Sequence, residues 1–434
     1  MLAQVVRRCQ IFSVSSTDPS ITQLHFPLDV RRLTPAASGQ MVEVHGTEAF
    51  DVVAGDGLAV PALGQKDQWV AVLSLPSVES PKLIHLLITT HSGNSGTMVL
   101  LVLPDAAQIF VPLQVTGPAY GVLGNAHGSA VQTRAAWAGI ESQYDALLAF
   151  NPSRDGPSDR VVVFPRLRQW LLAPGAAPLE IGAAQVTSFS QVSPRALRWR
   201  FSAHGLRWSV TLTLGETDAV SLHWEMEDAA SPEVCLHLRP DVEDRSFHTV
   251  TKAYAGPEEA FPDALREVDA GGFSFYLASH PGSAFQIRAS DALFCRDAHW
   301  QYQVPLPQDA ERGLSTSTDQ FSPGYFIWQP SVTGRATLYA SVHEGSPERV
   351  PPCMQPMVEA APLPQVMADA LDLFIASRSP GKTVIAGFPW FLDWGRDSLI
   401  FVRGLIAMGR MEDALGIMIR FAAWEESGSL PNMV

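Results

Sequence analysis

Over residues 1 to about 350, apolar positions come in short runs, at 69–75, 83–90, 98–103, 160–164, 196–201, 206–214 and 219–225, with Gly, Pro, Asn and Ser between them. Such runs predict strands closed by turns. From Arg207 to Leu214 polar and apolar residues alternate, the pattern of a half-buried antiparallel strand. The run before it, Trp199-Arg200-Phe201, is separated by Ser202-Ala203-His204-Gly205, so the two predict a hairpin. No repeat of roughly 20–50 residues stands out, which disfavours propellers and solenoids. The expected architecture is one large β-sandwich, or two. A helix is expected at 134–150 and a shorter one at 258–266.

The tract 347–364, with prolines at 351, 352, 356, 362 and 364, reads as a surface linker. Beyond it the period lengthens. In 365–377, Val366, Met367, Ala370, Leu371, Phe374 and Ile375 recur at helical spacing. A short extended piece is expected at 383–387. Further helices are expected at 397–408, stopped by Gly409, and at 411–426, ending before Gly428. The tight turn between them makes an αα-hairpin. The fold class is therefore mainly β with a C-terminal α segment. The divisions are a β-rich region of unknown role at 1–120, a sandwich at 121–346, the linker at 347–364 and a helical part at 365–434. Three helices suit a cap on the sandwich less well than the opening of a larger helical domain, so an incomplete domain is expected.

Composition narrows the function. Net charge is −14, with 44 acidic against 30 basic residues. This argues against a nucleic-acid partner, which needs clustered Lys and Arg. The four cysteines, at 9, 235, 295 and 353, form no CxxC pair, so neither a zinc knuckle nor a redox motif is expected. The first sixteen residues lack the apolar core of a secretory signal. The apolar run at 98–103 falls far short of the ~20 residues of a membrane helix. The expectation is a soluble cytoplasmic protein, without membrane contact. His237 and His248 flank Asp241, Glu243 and Asp244 but show no HxH or HExxH spacing, so no metal is assigned. The Gly-rich stretch 121–128 lacks GxGxxG, and GxSxG is absent. No cofactor is expected.

The densest chemistry is at 386–398, Ala-Gly-Phe-Pro-Trp-Phe-Leu-Asp-Trp-Gly-Arg-Asp-Ser. Gly387, Pro389 and Gly395 make it a loop, and Asp397 and Ser398 suit the start of a helix. Trp390 and Trp394 offer flat surface to the CH face of a sugar. Arg396 donates in a rigid fork, and Asp393 or Asp397 accepts from hydroxyls. The plainer reading remains open here: a capping aspartate with its ion-pair partner.

This run, AGFPWFLDWGRDS, resembles the signature of the glycogen debranching enzymes of the amylo-α-1,6-glucosidase family, with Ser398 where Thr is usual. The terminal LPNMV resembles the segment that follows in such enzymes. Upstream, 238–248 (LRPDVEDRSFH) and 143–170 (with YDALLAFNP and FPRLRQWLL) are similar too. The resemblance implies a β-supersandwich followed by the first helices of an (α/α)6 barrel, so that 365–434 would open the glucosidase domain. It implies hydrolysis of α-1,6-linked glucose at branch points of glycogen or limit dextrin, with inversion, and an α-glucan (glycogen, limit dextrin or maltooligosaccharide) as partner. Arg396 and Asp397 would hold the non-reducing sugar, Trp394 and Trp390 would line the same subsite, and Asp393 would join the polar net. An inverting pair needs carboxyls about 6.5–9.5 Å apart. Asp393 and Asp397 suit that role poorly, because no apolar setting separates their pKa values. The general acid and base are therefore unassigned and are expected outside this chain, in roughly 300 further residues of barrel. Two rival readings are a non-catalytic α-glucan-binding sandwich, whose affinity would survive loss of 360–434, and a fusion in which 1–120 belongs to an adjoining domain.

Overall fold

The computed structural model describes residues 21–30, 33–55, 59–65, 68–104, 110–115, 118–153, 155–269, 271–343, 351 and 360–433. The N-terminal stretch, Cys9, Cys353 and most of the Pro-rich linker lie outside them. The chain divides into two compact units, Met1–Val111 with Pro362–Pro364, and Pro112–Ala361 with Gln365–Val434.

The first unit is a small β-sandwich. One sheet orders Ile21–His25, Met41–Gly46, Gln68–Ser74 and Leu63–Gln65; the other orders Leu33–Ala37, Ser95–Leu103, Lys82–Thr90, Phe50–Val53 and Ala59–Pro61. Strand alternation buries Val42, Val44, Ala71 and Leu73 from one sheet with Leu86, Ile88, Leu100 and Val102 from the other, the result that a period of two dictates.

The second unit carries a nine-stranded antiparallel sheet and two five-stranded sheets. The nine-stranded sheet runs from Gln114–Val115 through Val186–Ser193, Ala196–Ala203, Leu206–Leu214, Ala219–Met226, Arg335–His343, Ala284–Ser290 and Gly272–Tyr276 to Leu265–Asp269. All three sheets contribute to one core, in which Trp199, Trp208, Trp224 and Trp328 are fully buried. The expected hairpin is present: Ala203 pairs with Leu206 across His204 and Gly205, whose φ values of 48° and 75° suit a two-residue turn between twisted strands. Leu206–Leu214 is buried on both faces rather than half-buried, since Ser209 and Thr211 are covered as well. It lies inside the sheet, and Thr211 Oγ1 accepts from Arg198 Nε at 2.9 Å.

The helix expected at 134–150 is absent. Ala130–Arg134 and Ala146–Phe150 are neighbouring strands. The bend between them is organised by Asp145, whose Oδ2 accepts from the Glu141 and Ser142 amides (2.8 and 3.1 Å) and from Arg134 Nε (2.9 Å). A carboxylate that gathers nearby amides offers the backbone an alternative to helix. The helix expected at 258–266 is Pro257–Ala264, and Leu265 onward is strand.

After the linker, helix Leu363–Phe374 gives way to a β-hairpin of Ile375–Ser377 with Lys382–Val384. The expected helix had run to 377. It stops early because Ser377 donates its amide to Ala126 O of the sandwich at 2.6 Å, and Pro380 and Gly381 turn the chain. Helices Gly395–Ala407 and Met411–Ala422 form the αα-hairpin around Gly409. The first begins two residues before its expected start, and the second ends four residues before its expected end. Val402, Leu405, Ala414, Ile417 and Phe421 close a core with Ile375 and Val384, while Ile400, Leu415 and Ile419 are exposed. Truncating Ile417 to Ala should therefore cost about 2–5 kcal/mol, and Leu415 to Ala no more than about 0.5 kcal/mol; urea unfolding of the two variants checks the difference.

Candidate functional site

The loop 385–394 is closed by its own backbone. Ala386 N donates to Leu392 O (2.9 Å), Trp390 N to Gly387 O (3.1 Å), and Ile385 N to Phe374 O (2.8 Å). Phe388 leaves the loop to pack with Ala130, Ala376 and Ile385. It lies so close over Gly124 that a Cβ there would sit 2.6 Å from the ring. The far end is fixed by the last described segment: Trp394 bridges Met433, and Gly395 N donates to Asn432 O at 2.9 Å. A Cβ on Gly395 would meet Pro431 O at 2.3 Å, so only glycine admits this approach.

Arg160 binds the loop to the sandwich. Its Nε donates to Gly128 O (2.7 Å) and its Nη1 to Pro389 O (2.8 Å). The guanidinium lies 5.9 Å from the Phe247 ring and 5.6 Å from the Phe388 ring. Among the described residues no carboxylate forms a salt bridge with it, and burial pushes its pKa down to about 10, so it remains charged at neutral pH.

The five residues singled out from the sequence do not all converge. Trp394, Arg396 and Asp397 meet at the start of helix Gly395–Ala407. Arg396 Nη2 is 3.6 Å from Asp397 Oδ2, and Phe391 sets its edge against Trp394 at 6.3 Å. Arg396 is largely exposed. Asp397 lies in the first helical turn, where the unpaired amides and the helix dipole favour a carboxylate. Its Oδ2 is buried and accepts no hydrogen bond. Trp390 is turned to the sandwich, where it packs with Val162 and Phe247 and meets Tyr144 at 6.5 Å. Tyr144 in turn pairs its hydroxyl with His248 Nδ1 at 3.2 Å.

Asp393 points inward and is 1% exposed. Its Oδ2 takes Arg378 Nη1 at 2.7 Å and the Thr383 hydroxyl at 3.1 Å. Burial is the largest influence and raises its pKa above the ordinary 3.8; Arg378 and Thr383 offset this only in part. The partners Arg378, Thr383 and Arg160 carried no sequence signal. Tyr144 and His248 stood in the stretches that carried the resemblance. His237 and His248 do not meet: the first stacks on Tyr325 and the second meets Tyr144 edge-on. Among the described residues no three side chains gather as metal ligands, and no helix is long and apolar enough to cross a membrane.

Two family models say to which class the chain belongs. Residues 124–333 match the glycogen debranching enzyme N-terminal model, and residues 367–434 match amylo-alpha-1,6-glucosidase; the class is glycoside hydrolase. The chain belongs to the glycogen debranching enzyme family, which implies an α-glucan substrate. Among curated proteins none matches the chain in sequence. Among solved structures it is similar to a GalM/aldose epimerase homologue from C. elegans, at 10% identity and TM-score 0.30, over 53% of this chain and 100% of that one. It is also similar to SGBP-B of a Bacteroides ovatus mixed-linkage glucan utilization locus, in complex with a mixed-linkage heptasaccharide, at 8% identity and TM-score 0.14, over 74% and 75%. Likenesses this slight carry no argument.

Two outcomes follow. Arg160→Ala strands the carbonyls of Gly128 and Pro389, at about 1–3 kcal/mol for each buried acceptor, and amide hydrogen exchange should rise across 386–392 before it rises in the sandwich strands. For Asp393 the folded pKa lies above the unfolded one, so its contribution to stability is present below pH 3.8 and is lost as pH rises through the folded value. Melting temperatures of the wild type, measured against Asp393→Asn, should move in the variant's favour as pH climbs from about 4. A gap that stays level contradicts the raised pKa.

Proposed function

We propose that this chain is the part of a debranching enzyme that holds the glucose at an α-1,6 branch point for hydrolysis with inversion. The observation that carries this reading is the corner of Trp394, Arg396 and Asp397. Asp397 is partly exposed, and its Oδ2 accepts no hydrogen bond although the exposed Arg396 guanidinium stands 3.6 Å away. A buried acceptor without a donor costs free energy. A sugar hydroxyl can supply that donor, while Arg396 donates to a neighbouring hydroxyl oxygen and Trp394 faces the ring. Trp390, turned to the sandwich, fixes the loop that leads into this corner.

Asp393 takes a supporting role in this reading. Its raised pKa resembles that of a general acid, but it is sealed from solvent and tied to Arg378 and Thr383. Such a group cannot reach a glycosidic oxygen. The acid and base of the inverting reaction therefore belong to other carboxylates. Exposed Ile400, Leu415 and Ile419 are the surface on which further helices of an (α/α)6 barrel would pack. The free thiols of Cys235 and Cys295 suit a reducing compartment such as the cytoplasm.

Calorimetric titration with panose, a maltose bearing an α-1,6 glucose, tests the corner. Arg396→Ala should weaken binding roughly tenfold to a hundredfold, the loss of one charge-assisted hydrogen bond, with the melting temperature unchanged. Asp397→Asn should weaken it in the same sense. Affinity equal to wild type in both variants removes these residues from the site.

A further inference from the structure

On the outer face of a five-stranded sheet lies a second cleft, of about 350 Å³, lined by Arg168, Trp170, His237, Arg239, His299 and Tyr325. The sheet orders Leu179–Ile181, Leu167–Leu172, Cys235–Pro240, Ser317–Trp328 and Ala292–Pro305. Alternation sends Leu167, Leu171, Leu236, Leu238, Phe326 and Trp328 into the core and leaves the cleft residues on the opposite face. Strand register then sets four of them side by side. Trp170 is directly opposite His237, and Arg168 is directly opposite Arg239. His237 stacks on Tyr325, with ring centroids 4.7 Å apart. Register sets His237 opposite Ile327, so Tyr325 reaches the His237 ring diagonally; the rings of Trp170, His237 and Tyr325 line the cleft together with the donors Arg168, Arg239 and His299.

The donors are held in place by carboxylates. Arg168 gives Nε and Nη2 to Asp241 (3.2 and 2.8 Å), which leaves Nη1 to donate. Arg239 gives Nη2 to Asp297 and Nη1 to His299 Nδ1, the latter at 2.8 Å. A guanidinium can only donate, so His299 Nδ1 accepts and its proton sits on Nε2. Burial, then the charge of Arg239, keeps His299 below its ordinary pKa, and His237 is lowered for the same two reasons. Arg168 also lies over Trp170 at 5.4 Å, and Arg239 over Tyr325 at 5.1 Å. Both arginines are at least nine-tenths buried. Arg239 is paired with Asp297, Arg168 shares Asp241 with Arg166, and both imidazoles favour the neutral form.

A neutral ligand with apolar faces and a rim of oxygen acceptors fits both groups: its faces meet the rings and its rim meets Arg168 Nη1, His299 Nε2 and the Tyr325 hydroxyl. We propose that this cleft binds a stretch of α-glucan chain, as a second site separate from the Trp394–Arg396–Asp397 corner. The proposal rests on the debranching reading for the identity of the glucan. Glycogen presents many chain ends at once, so a second foothold raises the effective concentration of branch points at the first.

The test uses the full 434-residue chain, with electrophoresis through gels containing glycogen and calorimetry with maltoheptaose. Trp170→Ala, with its melting curve intact, should weaken glycogen retention and maltoheptaose binding roughly two- to tenfold, and its panose affinity should match wild type. Tyr325→Phe removes only a hydroxyl from a folded sheet and should weaken both in the same direction, which serves if Trp170→Ala does not fold. Wild-type retention in both variants, with panose still bound at the corner, overturns the second site and leaves the debranching reading standing. Displacement of maltoheptaose by millimolar inorganic phosphate shows an anion site and overturns it as well. Absence of glycogen, maltoheptaose and panose binding in the wild-type chain overturns both readings.

Discussion

The organisation of the site depends on one buried guanidinium. Arg160 sits where a strand of the sandwich begins, yet its hydrogen bonds go to main-chain carbonyls, Gly128 in the sandwich and Pro389 in the loop. Removing a charge from water costs several kcal/mol. A carboxylate could offset that cost within one side-chain pair, but it would leave the loop unattached. Two carbonyls and two aromatic faces offset it only while the loop is in place. The cation therefore stabilises the docked arrangement alone, and the rings of Phe247 and Phe388 are held together by the same group. One Nη2 is left without a partner, a cost that the geometry does not remove.

Once the loop is docked, its two aspartates are forced into different environments. Asp393 and Asp397 are four residues apart, with a glycine and a helix start between them. Asp393 turns toward the β-hairpin and is closed in by Arg378 and Thr383. Asp397 lies in the first helical turn, partly open, beside the exposed side chain of Arg396. Gly395 makes this possible, because Pro431 occupies the space that any Cβ would need. The segment 430–433 thus sets the angle at which the helix leaves the loop, and with it the direction in which Arg396 and Asp397 face.

Local chemistry was readable in the sequence, and long-range chemistry was not. The strands at 196–201, 206–214 and 219–225 and the αα-hairpin around Gly409 follow from period and turn residues, both of which act over a few positions. The loop character of 386–394 followed from its glycines and proline in the same way. The error at 134–150 has the opposite origin. Its apolar spacing suits a helix, but Asp145 gathers the Glu141 and Ser142 amides and Arg134, and a polar hub of that kind has no period. Arg160 and Pro389 are 229 residues apart in sequence, and Arg378, the partner of Asp393, comes from the turn of the 375–384 hairpin. Neither contact leaves a local trace. The cleft on the outer sheet was hidden for a related reason. Arg168, Trp170, His237 and Arg239 look like ordinary outward residues of two strands until register sets them side by side.

The sandwich and the helical segment are not separable contributors to the corner. Phe388, Pro389 and Trp390, three consecutive residues, are each fixed by the sandwich: by Gly124 and Ala130, by Arg160, and by the cluster around Tyr144 and Phe247. The helical segment fixes only the other end, through Gly395 and Asn432. A loop held at both ends loses conformational freedom before any ligand arrives, so the ordering cost falls on folding rather than on binding. Helices alone would leave Trp390 without a wall and Pro389 without its donor. The β-structure therefore does more than carry the helices: its rigid strands set the orientation of a loop whose own glycines would otherwise allow many.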